Sequence, residues 1–77
     1  MSEVYEDARQ RLSDMGVTPL LGGLVPEWAT ADLLGYSRSW FRQRSAAGQP
    51  VLPYVPRGNR RFYKLDDIVR FVTETAG

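Results

Sequence analysis

The sequence predicts a mainly α-helical fold with one small β-hairpin. A helix, a tight glycine turn and a second helix come first, then the hairpin and a closing helix, with an extra helix in front of them all. Three observations predict this. Gly35 to Gly48, G-Y-S-R-S-W-F-R-Q-R-S-A-A-G, carries both a helix start and a helix stop. Val51 to Lys64 carries two β-rich arms around an Arg57-Gly58-Asn59-Arg60 tip. Apolar residues recur at helical spacing in Ser2–Met15, Pro26–Leu34 and Leu65–Thr75.

Ser2 to Met15 places Val4, Tyr5, Ala8, Leu12 and Met15 on one stripe. Glu3, Glu6 and Asp7 stand in the first turn, where the helix dipole favours acids, and Gly16 is the stop. The helix is expected to cover the core; the other use of its stripe is pairing with a second copy. Val17 to Val25, V-T-P-L-L-G-G-L-V, is an apolar connector broken by Pro19 and Gly22-Gly23. It is expected to lay Leu20, Leu21 and Leu24 on the core and has room for a short strand. Gly22-Gly23 lacks the spacing and the basic residue of a phosphate loop.

Pro26 to Leu34 is the first helix of the turn motif. Pro suits the first helical position, and Glu27 follows in the dipole-favoured turn. Trp28, Ala31 and Leu34 are expected to form its buried stripe, with a core place for Trp28 preferred over a stacking role. Gly35 ends this helix and Tyr36 anchors the turn. Ser37 is the N-cap of a helix to Ala47, because its side-chain oxygen can accept from a free backbone N–H of the first turn. Gly48 is the left-handed stop. Phe41 is the expected core residue of this helix, with Trp40 beside it.

In the hairpin, the arms are Tyr54-Val55 and Arg61-Phe62-Tyr63, and Gly58 and Asn59 tolerate the positive backbone angles of a tight turn. Pro53 and Pro56 confine the first arm to a sheet edge. Leu65 to Thr75 closes the chain, with Ile68, Val69, Phe71 and Val72 as its stripe. Asp66 and Asp67 fall in its first turn, where stabilising the dipole outranks an acid–base or metal role, since no third ligand is in view.

Seventy-seven residues make one small domain, which buries only about 60% of its unfolded surface. It divides into an N-terminal helix and connector, 1–24, and the helix-turn-helix with its hairpin, 25–77. The absence of cysteine and histidine excludes disulfides, Cys-based metal sites and His-centred catalysis. No catalytic residue, metal ligand or cofactor is expected, and the chain is not read as an enzyme. No apolar run approaches a membrane span. The acidic N-terminus is wrong for a secretory signal, so the expected location is cytoplasmic.

The formal net charge of +1 hides a segregation. Residues 1–34 hold six acids against two arginines, net −4, and residues 66–77 hold three acids against one arginine, net −2. Between them, residues 35–65 carry Arg38, Arg42, Arg44, Arg57, Arg60, Arg61 and Lys64 and no acid, net +7. Solvated faces usually mix both signs, so an acid-free stretch of this length points to a polyanion. Helix plus hairpin then reads as a winged helix-turn-helix for double-stranded DNA. Ser39, Arg42 and Gln43 are candidates for base contact, with Arg38 and Arg44 nearer phosphates. Ser37 sits at the helix entry. Arg57, Asn59, Arg60 and Arg61 make the wing, where the negative potential of a minor groove favours arginine.

The stretch from about Val25 to Val72 resembles the MerR-like winged helix-turn-helix superfamily, and within it the excisionase and AlpA-type phage and plasmid proteins. The resemblance rests on A-D-L-L-G-Y-S-R-S-W-F-R (Ala31–Arg42), Gly48, Leu52-Pro53, R-G-N-R-R-F-Y (Arg57–Tyr63) and D-D-I-V-R-F-V (Asp66–Val72). It implies DNA binding by the Ser37–Ala47 helix in the major groove and by the wing. Its commonest implied role is a recombination directionality factor that bends attachment-site DNA, with an integrase as a possible protein partner. A phage or plasmid transcription regulator, a terminase-small-subunit-like protein and a protein-interaction module using the N-terminal stripe are the alternatives. The family usually carries an apolar pair where this chain has Arg44 and Ser45, so those two places are expected to adjoin the core.

Overall fold

A computed structural model describes residues 3–75. The elements run α1 (Glu3–Asp14), β1 (Leu24–Pro26), α2 (Glu27–Leu34), α3 (Arg38–Ala46), β2 (Val55–Arg57), β3 (Arg60–Lys64) and α4 (Leu65–Thr75). The chain is thus mainly helical with a small antiparallel sheet. Ser2, expected to open the first helix, lies outside the described residues.

The sheet has three strands in the order β1-β3-β2, one more than a lone hairpin supplies. The end of the connector furnishes β1, with Leu24, Val25 and Pro26 opposite Lys64, Tyr63 and Phe62. Pro26 has no N–H to give, which an edge strand tolerates. On the other side of β3, Val55, Pro56 and Arg57 face Phe62, Arg61 and Arg60. The strand therefore starts at Val55, and the tip is the two residues Gly58-Asn59. The β3 strand passes straight into α4, and the Leu65 N–H donates to the Gly23 carbonyl at 2.8 Å.

One core holds the helices and the sheet together. Leu12 of α1, Val25 of β1, Ala29 and Ala31 of α2, Phe41 of α3, Tyr63 of β3 and Ile68 of α4 are all buried within it. The α1 stripe is spent inside the molecule: Ala8 and Leu12 are buried, and Tyr5 and Met15 pack against the same cluster. As expected, α1 covers the core.

Three expectations about apolar residues need correction. Leu20 and Leu21 do not reach the core; Leu21 is 99% exposed. They sit at a turn closed by hydrogen bonds between Leu20 and Leu24, so only Leu24 enters the sheet and points inward. Trp28 is 40% exposed, because α2 turns Ala29, Thr30 and Ala31 inward instead. Trp40 is 42% exposed, whereas Phe41 is buried as expected.

Candidate functional site

Helix α3 begins and ends where its sequence directs. Gly35 caps α2 in the left-handed region, φ 84°, a conformation that a side chain would strain. Ser37 then adopts an extended backbone and its Oγ accepts from the Trp40 N–H at 2.9 Å. Gly48, φ 79°, follows the far end. Phe41 and Ser45, four residues apart, turn one face inward. At 100° per residue, Gln43 and Ser39 then point furthest outward as a ridge, with Ala46 and Trp40 on either side of them. Arg38 and Arg42 flank it on the side of α2 and the hairpin, and Trp40 and Arg44 flank it on the other.

A cleft of about 330 Å³ separates α3 from the hairpin. Its lining includes Arg42 from α3, Asn59, Arg60 and Arg61 from the hairpin, and Glu27 and Trp28 from the start of α2. Helix and hairpin thus present their charges across one concavity, although Arg42 and Asn59 stand seventeen positions apart in sequence.

Glu27 fixes that geometry. Its Oε2 accepts from Ser45 Oγ at 2.6 Å and from the Tyr63 hydroxyl at 2.8 Å, so one carboxylate oxygen ties α2 to both α3 and β3. Its Oε1 lies 3.9 Å from Arg61 Nη1. Burial, and then the hydrogen bond and charge of Glu27, hold the Tyr63 phenol far above the usual tyrosine range. Ser45, at 3% exposure, adjoins the core as the resemblance implied for its place. A polar residue is stable there because its one hydroxyl proton has an acceptor in Glu27 Oε2, with the Arg42 carbonyl 3.0 Å away as the alternative. Arg44 does not share that place. It is exposed and lies over the Trp40 ring, 5.2 Å from the centroid, because it points to the flank and not to the core.

The ten residues singled out from sequence are all at the surface, with Arg61 half-buried. Their states differ. Arg38 is committed to Asp32 through two hydrogen bonds of 3.0 and 2.6 Å and lies 4.8 Å over Trp28. Those hydrogen bonds hold the Asp32 carboxyl below its usual range. Arg61 is held between Glu27 and the Tyr54 ring, 5.7 Å to the centroid. Arg57 donates to the Pro56 carbonyl at 3.0 Å. Among the described residues Arg42, Arg44, Arg57, Arg60 and Lys64 form no ion pair. Ser39 and Gln43 are exposed on the ridge.

Sequence reasoning missed Glu27, Ser45 and Tyr63 as a unit, and Trp28 as a surface ring. The sole signal was the oddity of a serine at an expected core place. Asp67 pairs with Arg70 at 3.5 Å, and the described residues hold no group of three or more His, Cys, Asp or Glu placed for a metal ion. No helix among them is long and apolar enough to cross a membrane. No protein-family model, curated protein or solved structure matches the chain.

Proposed function

We propose that this chain is a non-enzymatic winged helix-turn-helix protein that binds double-stranded DNA. Helix α3 enters the major groove and the β2–β3 hairpin acts as the wing. The observation that carries this reading is the shared cleft, where Arg42 faces Asn59, Arg60 and Arg61 on a surface whose other arginines are also outward. The ridge of Ser39 and Gln43 is placed to meet base edges, and Gln can pair with adenine N6 and N7. Within this reading, the resemblance at Ala31–Arg42 and Arg57–Tyr63 favours an excisionase-like directionality factor that bends attachment-site DNA. A repressor or activator would use the same contacts. The interaction-module alternative loses support, because the stripe it needs on α1 is packed into the core.

Mobility shift on random duplex at 50 and 200 mM salt tests the reading. Each neutralised phosphate contributes about −0.9 to the slope of log K against log salt. Engagement of Arg42, Arg44, Arg57, Arg60 and Lys64 gives a slope near −4.5 and a several-hundredfold loss, roughly, over that range. Arg42→Ala and Arg60→Ala each reduce the slope by about 0.9. Absence of binding at low salt, or binding indifferent to salt, refutes it. A circular-permutation shift on candidate attachment-site DNA then separates a bending factor from a regulator that leaves the duplex straight.

A further inference from the structure

We propose that Glu27 is the positioning residue of this surface and that its two oxygens have different tasks: Oε2 locks helix α3 to strand β3, while Oε1 holds Arg61 in reserve until Arg61 passes to a DNA phosphate. This rests on the DNA-binding reading and adds to it a residue, an order of events and a measurable consequence.

The atoms divide cleanly. Both short hydrogen bonds, from Ser45 and from Tyr63, end on Oε2. The Oε1 contact to Arg61 is long, 3.9 Å, and Arg61 keeps a third of its side chain exposed. Only the Arg61 contact can be broken without breaking the frame. When Arg61 leaves, the carboxylate keeps two donors, so no buried charge is orphaned, which is the event that makes breaking such a pair costly. Arg61 has a mouth to leave by, since it lines the same cleft as Arg42, Asn59 and Arg60. Its guanidinium also rests near the Tyr54 ring, which holds it at the rim of the cleft. A phosphate entering between α3 and the hairpin offers a full charge and a bidentate geometry in exchange for one long contact.

The substitution that isolates the Oε1 task is Glu27→Gln. The amide oxygen can still accept from Ser45 and Tyr63, while the amide nitrogen now faces Arg61 and repels it. The exchange predicts three readings from duplex titrations across a salt series. With Arg61 as a sixth phosphate contact the wild-type slope is about −5.4, and Arg61→Ala returns it to about −4.5. Glu27→Gln tightens binding by about two- to fivefold, the range of a partly exposed ion pair that no longer needs breaking. In the Arg61→Ala background most of that tightening disappears. A slope unchanged by Arg61→Ala means that Arg61 stays on Glu27 throughout and overturns the exchange. Equal tightening in both backgrounds also overturns it, because the effect is then only the removal of a negative charge near the duplex. The Arg61→Ala slope alone decides the matter if Glu27→Gln does not fold. Wild-type protein that binds no duplex overturns the DNA-binding reading itself, a result distinct from either of the others.

Discussion

Tyr63→Phe removes one oxygen atom from the centre of the molecule and tests whether the Glu27 frame stabilises the fold. Tyr63 is fully buried and packs on Phe41, centroid to centroid 5.3 Å, contacts that phenylalanine retains. What is lost is a 2.8 Å hydrogen bond to a carboxylate whose side chain is only 15% exposed. Hydrogen bonds to charged groups contribute about 1.5–3 kcal/mol. Glu27 keeps Ser45 and some access to water, so a loss of about 1–2 kcal/mol is expected at neutral pH. For a domain of this size that lowers the thermal midpoint by roughly 6–12 °C. Burial of the phenol, together with the same bond, gives the wild type an alkaline signature. The folded state holds the phenol proton more tightly than the unfolded state does. That part of the stability is therefore complete below the ordinary tyrosine value of about 10 and is lost as pH climbs through it toward the raised folded value. Tyr63→Phe lacks this loss, so the gap between the two proteins narrows above about pH 10. Urea melts by circular dichroism between pH 7 and 11 check both statements. A variant as stable as wild type at pH 7 refutes the claim that Glu27 and Tyr63 are coupled, and a gap constant up to pH 11 refutes the raised phenol.

Ser37→Ala deletes the acceptor for the Trp40 N–H and should cost about 0.5–2 kcal/mol of stability, read by the same urea melts, with a weaker α3 contribution to helical signal. Leu12→Ala empties a place 1% exposed and should cost about 2–5 kcal/mol. Removal of residues 1–16 should therefore be read first by thermal melting, since it strips the core. Gln43→Ala alters an uncharged ridge residue, so it should change discrimination among duplex sequences in competition titrations while leaving the salt slope as it was.

The local signals of this fold are legible in the sequence because they are backbone rules. Gly35, Ser37 and Gly48 mark α3 by conformations that the residue types themselves prefer, and the observed helix stays within those marks. The position of α4 is legible from the spacing of its apolar residues, with Phe71 packed on the core and Ile68 buried in it. What was not legible depends on partners distant in the chain. The β1 strand exists because Val25 finds Tyr63, thirty-eight residues on. Glu27 reads locally as a dipole residue at a helix start, and nothing near it announces Ser45 or Tyr63. Trp28 is apolar and at helical spacing, but the helix rotates to bury Ala29 and Ala31. Rotation of α2 about its axis is set by packing, which no single stretch encodes.

The charge map changes meaning once these partners are known. The acid-free stretch of residues 35–65 carries seven basic side chains, yet two of them already have acids supplied from α2. Asp32 takes Arg38 and Glu27 takes Arg61, and Trp28 sits between those two acids in sequence. The field that a polyanion meets at first encounter is therefore set by Arg42, Arg44, Arg57, Arg60 and Lys64. The held pair differs in how firmly it is held. Arg38 makes two close hydrogen bonds with Asp32, whereas Arg61 makes one long contact with an acid that has two other donors. In the proposed exchange Arg38 stays with Asp32, between α2 and the start of α3, while Arg61 is drawn out. A count of basic residues would assign these two arginines the same role; the acids beside them distinguish a closely hydrogen-bonded pair from a loose one.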